Sequence, residues 1–240
     1  RYDLWVMKLA VDGSIAWERI LGGSNDDSAL SVRPTADGGY LVGGYTFSAG
    51  AGGSDAWILK FNGAGDLAWQ RTYGGDGSEW IYDVEATADG GFIAAGSTSS
   101  CGAGGYDFWV LKLDVAGDVS WQRAYGGGGD DWAGAIRATA TGGYLVCGNT
   151  RSFGSASYDA WLVKISDSGA VAWTKRYGGA GNDTAYSLQL TPDGGALLAG
   201  ATDSSGAGGK DAWLVKTDAD GRVEWQSSYG GPGDDAGYWV

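Results

Sequence analysis

Asp3-Leu4-Trp5 recurs as Asp55-Ala56-Trp57, Asp107-Phe108-Trp109, Asp159-Ala160-Trp161 and Asp211-Ala212-Trp213, a step of 52 residues held along the chain without insertion or deletion. A second tryptophan keeps the same step at Trp17, Trp69, Trp121, Trp173 and Trp225, as does a lysine at Lys8, Lys60, Lys112, Lys164 and Lys216. Self-similarity at about this period marks a stack of supersecondary units, each too small to bury its own apolar face. An unbroken repeat over 240 residues therefore predicts one domain, 1–240, rather than two unrelated ones.

Within one copy, four short apolar segments are separated by clusters of Gly, Asp, Asn and Ser, the pattern of strands and tight turns. In residues 27 to 73 the segments are Ser28–Arg33, Tyr40–Thr46, Asp55–Phe61 and Leu67–Tyr73. Turns fall at Ala36-Asp37-Gly38-Gly39 and Asn62-Gly63-Ala64-Gly65-Asp66, with a Gly-rich loop over 49 to 54. Nothing reads as a helix, because Gly supplies 46 of the 240 residues and costs about 1 kcal/mol at each helix-interior position. The class is all-β, and four antiparallel strands per unit of nearly 50 residues is the signature of a propeller blade. The second strand is apolar on both faces (Phe92-Ile93-Ala94-Ala95-Gly96, Ala196-Leu197-Leu198-Ala199-Gly200), as a sheet covered on both sides requires.

Thr191-Pro192-Asp193-Gly194-Gly195 and the strand after it resemble the Ser-Pro-Asp-Gly turn and following strand of WD-repeat propellers, and Asp211–Lys216 resembles their third strand. The longer pattern, Tyr-Gly-Gly-x-Gly-Asp-Asp, Asp-Gly-Gly-Tyr, Asp-Ala-Trp and Trp-Gln-Arg, is similar to tandem β-propeller repeats of secreted bacterial and archaeal surface proteins, over the whole chain. The Gly-His pair of WD repeats is absent, and Gly43-Gly44 resembles kelch repeats in the first copy alone. The resemblance implies a five-bladed β-propeller of 52-residue four-stranded repeats and a secreted or cell-surface setting. In a WD-like phase the blades run near 27–73, 79–125, 131–177 and 183–229. A fifth joins 235–240, as its inner strand, to 1–21. The second strand of that fifth blade has no residues in the sequence, and the alternative phase starts each blade at the Asp-x-Trp strand.

Composition narrows the function. With 16 Lys plus Arg against 29 Asp plus Glu the net charge is −13, which repels nucleic acid and anionic membranes. No histidine is present, so a Ser-His-Asp triad and imidazole ligation of zinc are excluded. Cys101 and Cys147 occupy different places in the repeat and predict no disulfide framework. No apolar run reaches the 18 or so residues of a spanning helix, and residues 1 to 20 read as strands rather than a signal peptide.

Three sets of residues are candidates for a site. Asp26, Asp27, Glu79, Asp130, Asp131, Asp183, Asp234 and Asp235 recur where one blade hands over to the next. Carboxylates gathered there are the ligand type calcium takes, and they are equally suited to capping turns. Trp80 and Trp132 stand beside them where other copies have Ser28, Thr184 and Ala236, as stacking platforms or as inter-blade packing. Alternation turns Arg33, Asp83, Glu85 and Arg137 towards the channel of a propeller, where they serve a ligand or pair with one another. A further expectation is that the recurrent Asp and Trp of the third strand form a hydrogen-bond network with Thr46, Thr98, Thr150 and Thr202.

The preferred reading is a non-enzymatic binding module that takes protein or glycan on its Gly-rich loops. It needs no cofactor other than calcium at the acidic positions, and is a monomer unless a strand is exchanged at the open blade. Two other readings stand beside it: a repeat-amplified or engineered scaffold without a ligand, and a glycosidase or lyase using Asp83 and Glu85 as its carboxylate pair.

Overall fold

The computed structural model describes residues 1–154 and 157–240. Strands β1 (Leu4–Leu9) and β2 (Ile15–Leu21) form a two-stranded antiparallel sheet. The next four strands, β3 (Asp27–Pro34), β4 (Tyr40–Thr46), β5 (Asp55–Phe61) and β6 (Leu67–Tyr73), make a four-stranded sheet in sequence order. The pattern returns 52 residues on in β7 (Glu79–Ala86), β8 (Phe92–Thr98), β9 (Asp107–Leu113) and β10 (Val119–Tyr125). It returns again in β11 (Asp131–Ala138), β12 (Tyr144–Thr150), β13 (Asp159–Ile165) and β14 (Val171–Tyr177), and in β15 (Asp183–Leu190), β16 (Ala196–Thr202), β17 (Asp211–Thr217) and β18 (Val223–Tyr229). No helix occurs among the described residues. Each complete sheet opens at the strand predicted near residue 27, 79, 131 or 183, which is the WD-like phase.

Two local devices shape every sheet. The first turn is built by a side chain: in Thr35-Ala36-Asp37-Gly38-Gly39 the Asp37 carboxylate accepts the Gly39 N–H at 3.0 Å and the Thr35 hydroxyl, while Gly38 takes φ +79°, open to glycine at little cost. Lys60 reaches back from β5 to the same carboxylate at 2.8 Å, and Lys112–Asp89 and Lys216–Asp193 repeat the pair at 2.8 Å. These donors hold Asp37, Asp89 and Asp193 well below the usual carboxylate range, the lysine hydrogen bond foremost. In the third copy Thr141 replaces the aspartate, and Asp167 takes over the Gly143 N–H at 2.8 Å.

The second device is a bulge between strands one and two, at Ala29/Ser31 and its counterparts. There the backbone of strand one comes so close that a Cβ on Gly44, Gly96, Gly148 or Gly200 would meet the carbonyl oxygen of Ser28, Trp80, Trp132 or Thr184 within 2.0 Å. Glycine at this position is thus demanded inside the sheet. Its neighbour serves packing between sheets, since a Cβ on Gly43 would stand 2.5 Å from Val84 Cγ1.

The chain divides into two compact units, residues 1–101 with 110–122 and residues 102–109 with 123–240. In the first, Leu4, Val42, Trp57, Leu59 and Phe61 make a core. Trp17 lies flat on Phe61 at 6.2 Å and edge-on to Tyr40 at 5.6 Å, so the outer tryptophan of one hairpin covers the next sheet. Tyr73 donates its hydroxyl to the Gly117 carbonyl at 2.6 Å. In the second unit Leu162, Leu188, Leu198 and Trp213 are among the residues of a larger core, and Tyr125 and Tyr177 donate to Gly169 and Gly221 at 2.7 Å. Burial raises the hydroxyl of Tyr125 to about 12, so it remains a donor at any ordinary pH. Both cysteines are free, Cys147 buried and Cys101 exposed.

Asp235–Val240 differ from the expected inner strand, for they form no strand. They follow the fourth complete sheet all the same: Asp235 N–H donates to the Lys210 carbonyl at 2.6 Å, Gly237 N–H to Gly200 at 2.9 Å, and Tyr238 stacks on Tyr186 at 5.2 Å. The physical reason is that their backbone donors go to scattered partners, the Lys210 and Gly200 carbonyls and Ser187 Oγ, and not to a continuous ladder.

Replacing Trp213 by Ala is expected to cost roughly 3–5 kcal/mol through the cavity it leaves, and Tyr177→Phe about 1 kcal/mol for one hydrogen bond. Tyr229→Phe, at a residue 57% exposed, is expected to leave the urea midpoint unchanged and serves as the control.

Candidate functional site

The residue at the head of each first strand is a buried hub. Asp27 donates its N–H to the Tyr2 carbonyl at 2.8 Å. Its carboxylate accepts the Gly23 N–H at 2.8 Å, the Ser48 hydroxyl at 2.8 Å and the Thr46 hydroxyl. Burial alone would raise this carboxyl, but the donors outweigh burial and hold it below its ordinary value. Glu79 accepts from Gly75, Thr98 and the Ser100 N–H, Asp131 from Gly127 and Ser152, and Asp183 from Gly179, Thr202 and Ser204. Asp235 retains the Gly231 N–H at 2.9 Å.

These contacts correct the expected network. Thr46, Thr98 and Thr202 serve the first-strand carboxylate and not the third-strand aspartate. The overlooked signal is a serine two residues after each threonine, Ser48, Ser100, Ser152 and Ser204, whose hydroxyl or N–H joins the same set.

The third-strand aspartates approach the hubs from the other side. A Cβ on Gly126 would stand 2.0 Å from Asp107 Oδ1 and 2.5 Å from Asp131 Oδ2, and one on Gly74 would stand 2.4 Å from both Asp55 and Glu79. Two buried carboxylates therefore face each other across a glycine. Asp107 accepts the Ala103 N–H at 2.9 Å, yet burial, reinforced by Asp131 and Asp130, pushes it up to about 6. Burial likewise raises Asp55, with Glu79 adding to it. It raises Asp159 too, where Arg176 at 3.3 Å works against the shift. Among the described residues no group of three or more His, Cys, Asp or Glu side chains is arranged to hold a metal ion.

The second acidic position works between neighbouring loops. Asp26 accepts the Tyr2 N–H at 2.8 Å, Asp130 the Tyr106 N–H at 3.1 Å, and Asp234 the Lys210 N–H at 2.9 Å. Beside these acids the surface is concave. Asp130 and Arg151 line a depression of about 430 Å³ with Gly105, Gly128 and Gly129. In the other unit Asp26 and Phe47 line its repeat counterpart, of about 570 Å³, with Gly52 and Gly53 on the wall. Trp132 packs edge-on to Tyr106 at 5.8 Å and against Tyr158 at 6.3 Å, over which Arg151 sits at 5.1 Å. Trp80 donates to Ser54 Oγ at 2.6 Å and lies 5.6 Å from Tyr45. Both tryptophans are half-buried packing residues beside the depressions.

Of the residues expected on the channel side, Asp83 and Arg33 are tied to each other. Asp83 is wholly buried and accepts from Ser31 Oγ at 2.9 Å, Arg33 at 3.0 Å and the Val84 N–H at 3.1 Å, so it links β3 to β7. Arg137 donates to the Ile136 carbonyl at 2.6 Å, and Glu85 is half-buried.

The sheet order, the phase and the repeat period define a β-propeller fold of the WD40 type, and comparison with solved structures agrees. A protein of unknown function from Bacteroides caccae superposes over 92% of this chain and 74% of its own with a TM-score of 0.57 at 15% identity. The WD40 domain of Pan2 from Neurospora crassa does so over 91% and 59%, with a TM-score of 0.57 at 13% identity. In sequence, the chain is 26% identical over 205 residues to the regulatory protein FlaEY of Caulobacter vibrioides, covering 74% of this chain and 21% of that protein. It thus spans about a fifth of that relative's length. No family model matches the chain.

Asp107 yields a pH prediction. Its carboxyl titrates near ~3.9 when unfolded and about 6 when folded, so the stability it contributes is complete below about pH 4 and lost as pH rises through about 6. The melting temperature of Asp107→Asn is expected to gain on the parent between pH 4 and pH 7. An advantage that stays constant with pH would assign the effect elsewhere.

Proposed function

We propose that this chain is a non-enzymatic binding module that takes a protein or glycan at the loop ends of its sheets, as part of a secreted or surface protein. One observation carries the reading. The first-strand carboxylate, the bulge glycine and the Asp-x-Trp of strand three recur in every complete sheet, whereas positions around the depressions, in the loops and at the start of strand one, change chemistry from copy to copy. Phe47, Ser99, Arg151 and Asp203 occupy one such position, Ser28, Trp80, Trp132 and Thr184 a second, and Ser54, Tyr106, Tyr158 and Lys210 a third. A scaffold needs none of that variety, and a composite surface of aromatic, cationic and anionic groups suits recognition. That the Caulobacter relative is a regulatory protein accords with binding rather than turnover. Asp83 is already bound by Ser31 and Arg33, which favours a binding module over a carboxylate-pair hydrolase.

Glycan and protein arrays probed with the parent and with a Phe47→Ala, Arg151→Glu variant test the proposal. Both substitutions are at exposed residues, so the denaturation midpoint is expected to hold while captured signal falls roughly tenfold, a change of about 1.4 kcal/mol. Retention of every array signal by the variant would sink the reading.

A further inference from the structure

One loop depression differs from its counterparts in charge. In the hollow of about 430 Å³ lined by Gly105, Gly128, Gly129, Asp130 and Arg151, a cation and an anion share one surface. The residues that replace Asp130 and Arg151 in other copies are Asp26 with Phe47, Ser78 with Ser99, and Asn182 with Asp203. None of these pairs carries both charges.

Neither charge is fully used within the protein. Arg33, Arg71 and Arg176 each pair with an aspartate, whereas among the described residues the side chain of Arg151 has only the Tyr158 ring, 5.1 Å from its guanidinium. Asp130 Oδ1 accepts the Tyr106 N–H at 3.1 Å, and its other oxygen takes no donor among the described residues. A second observation concerns the neighbouring ring. Trp80 donates its indole N–H to Ser54 at 2.6 Å, but Tyr106 stands at that position in this copy, and the Trp132 indole N–H is buried without a partner among the described residues. A copy that gives up an internal hydrogen bond to set an aromatic residue next to Gly105 departs from the local rule in the way functional sites do.

We infer that this depression binds a sugar acid, the hexuronate residue of an acidic glycan; the inference rests on the binding-module reading and narrows it to one site and one ligand class. A guanidinium held over a ring keeps its N–H fork for a planar acceptor, and a carboxylate fits that fork bidentately. The charge of Asp130 disfavours a doubly charged phosphate, since repulsion grows with the charge of the ligand. Asp130 also requires a donor. In a hexuronate the hydroxyl on the ring carbon next to the one bearing the carboxylate supplies it, so one edge of the sugar meets both residues. In an acidic peptide, methylenes separate the side-chain carboxylate from the nearest N–H, which favours the sugar. The volume of the hollow is within the usual range of small-molecule sites, roughly 300–1,000 Å³.

Gly128 offers a way to close the hollow. Nothing lies within 4 Å of where its Cβ would stand, and its φ is outside the left-handed region, so Gly128→Trp fills the depression without disturbing the backbone. An oligogalacturonate, its methyl ester and a glutamate-rich peptide are titrated into the intact chain with a chelator present, and binding is followed by amide chemical shifts. The acid is expected to bind saturably with a Kd of about 1 mM or tighter, shifting Gly105, Gly128 and Gly129. The ester is expected to bind roughly tenfold more weakly. Arg151→Gln is expected to bring the acid down to the affinity of the ester, and Gly128→Trp to abolish both with the urea midpoint held. Equal binding of acid and ester, shifts outside these loops, or tighter binding of the peptide would each overturn the inference. If the acid does not bind while a ligand found on the arrays is lost on Gly128→Trp, the inference fails and the binding-module reading stands; if no array ligand binds either, both fail.

Discussion

One buried carboxylate per copy, at the head of the first strand, is the interaction on which the rest depends. Asp27 is reached by three loops at once: its N–H holds the loop before β1, and its oxygens hold the inter-sheet loop at Gly23 and the β4–β5 loop at Thr46 and Ser48. A charge removed from water is costly unless hydrogen-bonded on all sides, so the loops have one arrangement in which that cost is met. Removing a single donor would leave a buried anion short of partners, and the donors to its oxygens come from two loops. Between sheets a neutral tie does similar work, the tyrosine hydroxyl on the carbonyl of the next hairpin, as in Tyr73 to Gly117.

The repeat made the architecture legible because each element announces itself four or five times. Strand bounds, the Asp-Gly-Gly turn and the phase follow from the position of Asp37, Trp57 and Trp69 within one copy. What escaped was wiring between elements distant in sequence. Thr46 lies nine residues from Asp55 and nineteen from Asp27, and the ladders place it opposite both, Asp27 across β3 and β4 and Asp55 across β4 and β5; only the side-chain geometry shows that its hydroxyl goes to Asp27. The loop depressions were equally hidden, since concavity at Asp130 and Arg151 is a product of how two loops lean together and has no local sequence signature. Trp80 and Trp132 were visible as deviations from the repeat, but whether an aromatic residue that breaks a repeat packs or projects depends on neighbours such as Tyr45 and Tyr158.

The acidic character of the chain takes on a different meaning in this light. An excess of carboxylates invites a search for cations, yet Asp37 is a turn-builder, Asp26 a loop tie, Asp27 a hub and Asp55 its buried neighbour. Each of these roles recurs in other copies, so the net charge of −13 is largely the price of the architecture multiplied by the number of repeats. Of the recurrent lysines, Lys60, Lys112 and Lys216 are spent on the turn aspartate.

The same argument separates what the repeat must keep within itself from what it is free to vary. A change at Gly44 would drive a side chain into a carbonyl oxygen, and loss of the carboxylate at position 27 would unfasten three loops, so the complete sheets keep glycine at the first position and Asp or Glu at the second. Position 47 and its counterparts bear no such load: phenylalanine, serine, arginine and aspartate occupy it. Variation at such loop positions changes the chemistry that each sheet presents without any change in the fold beneath it.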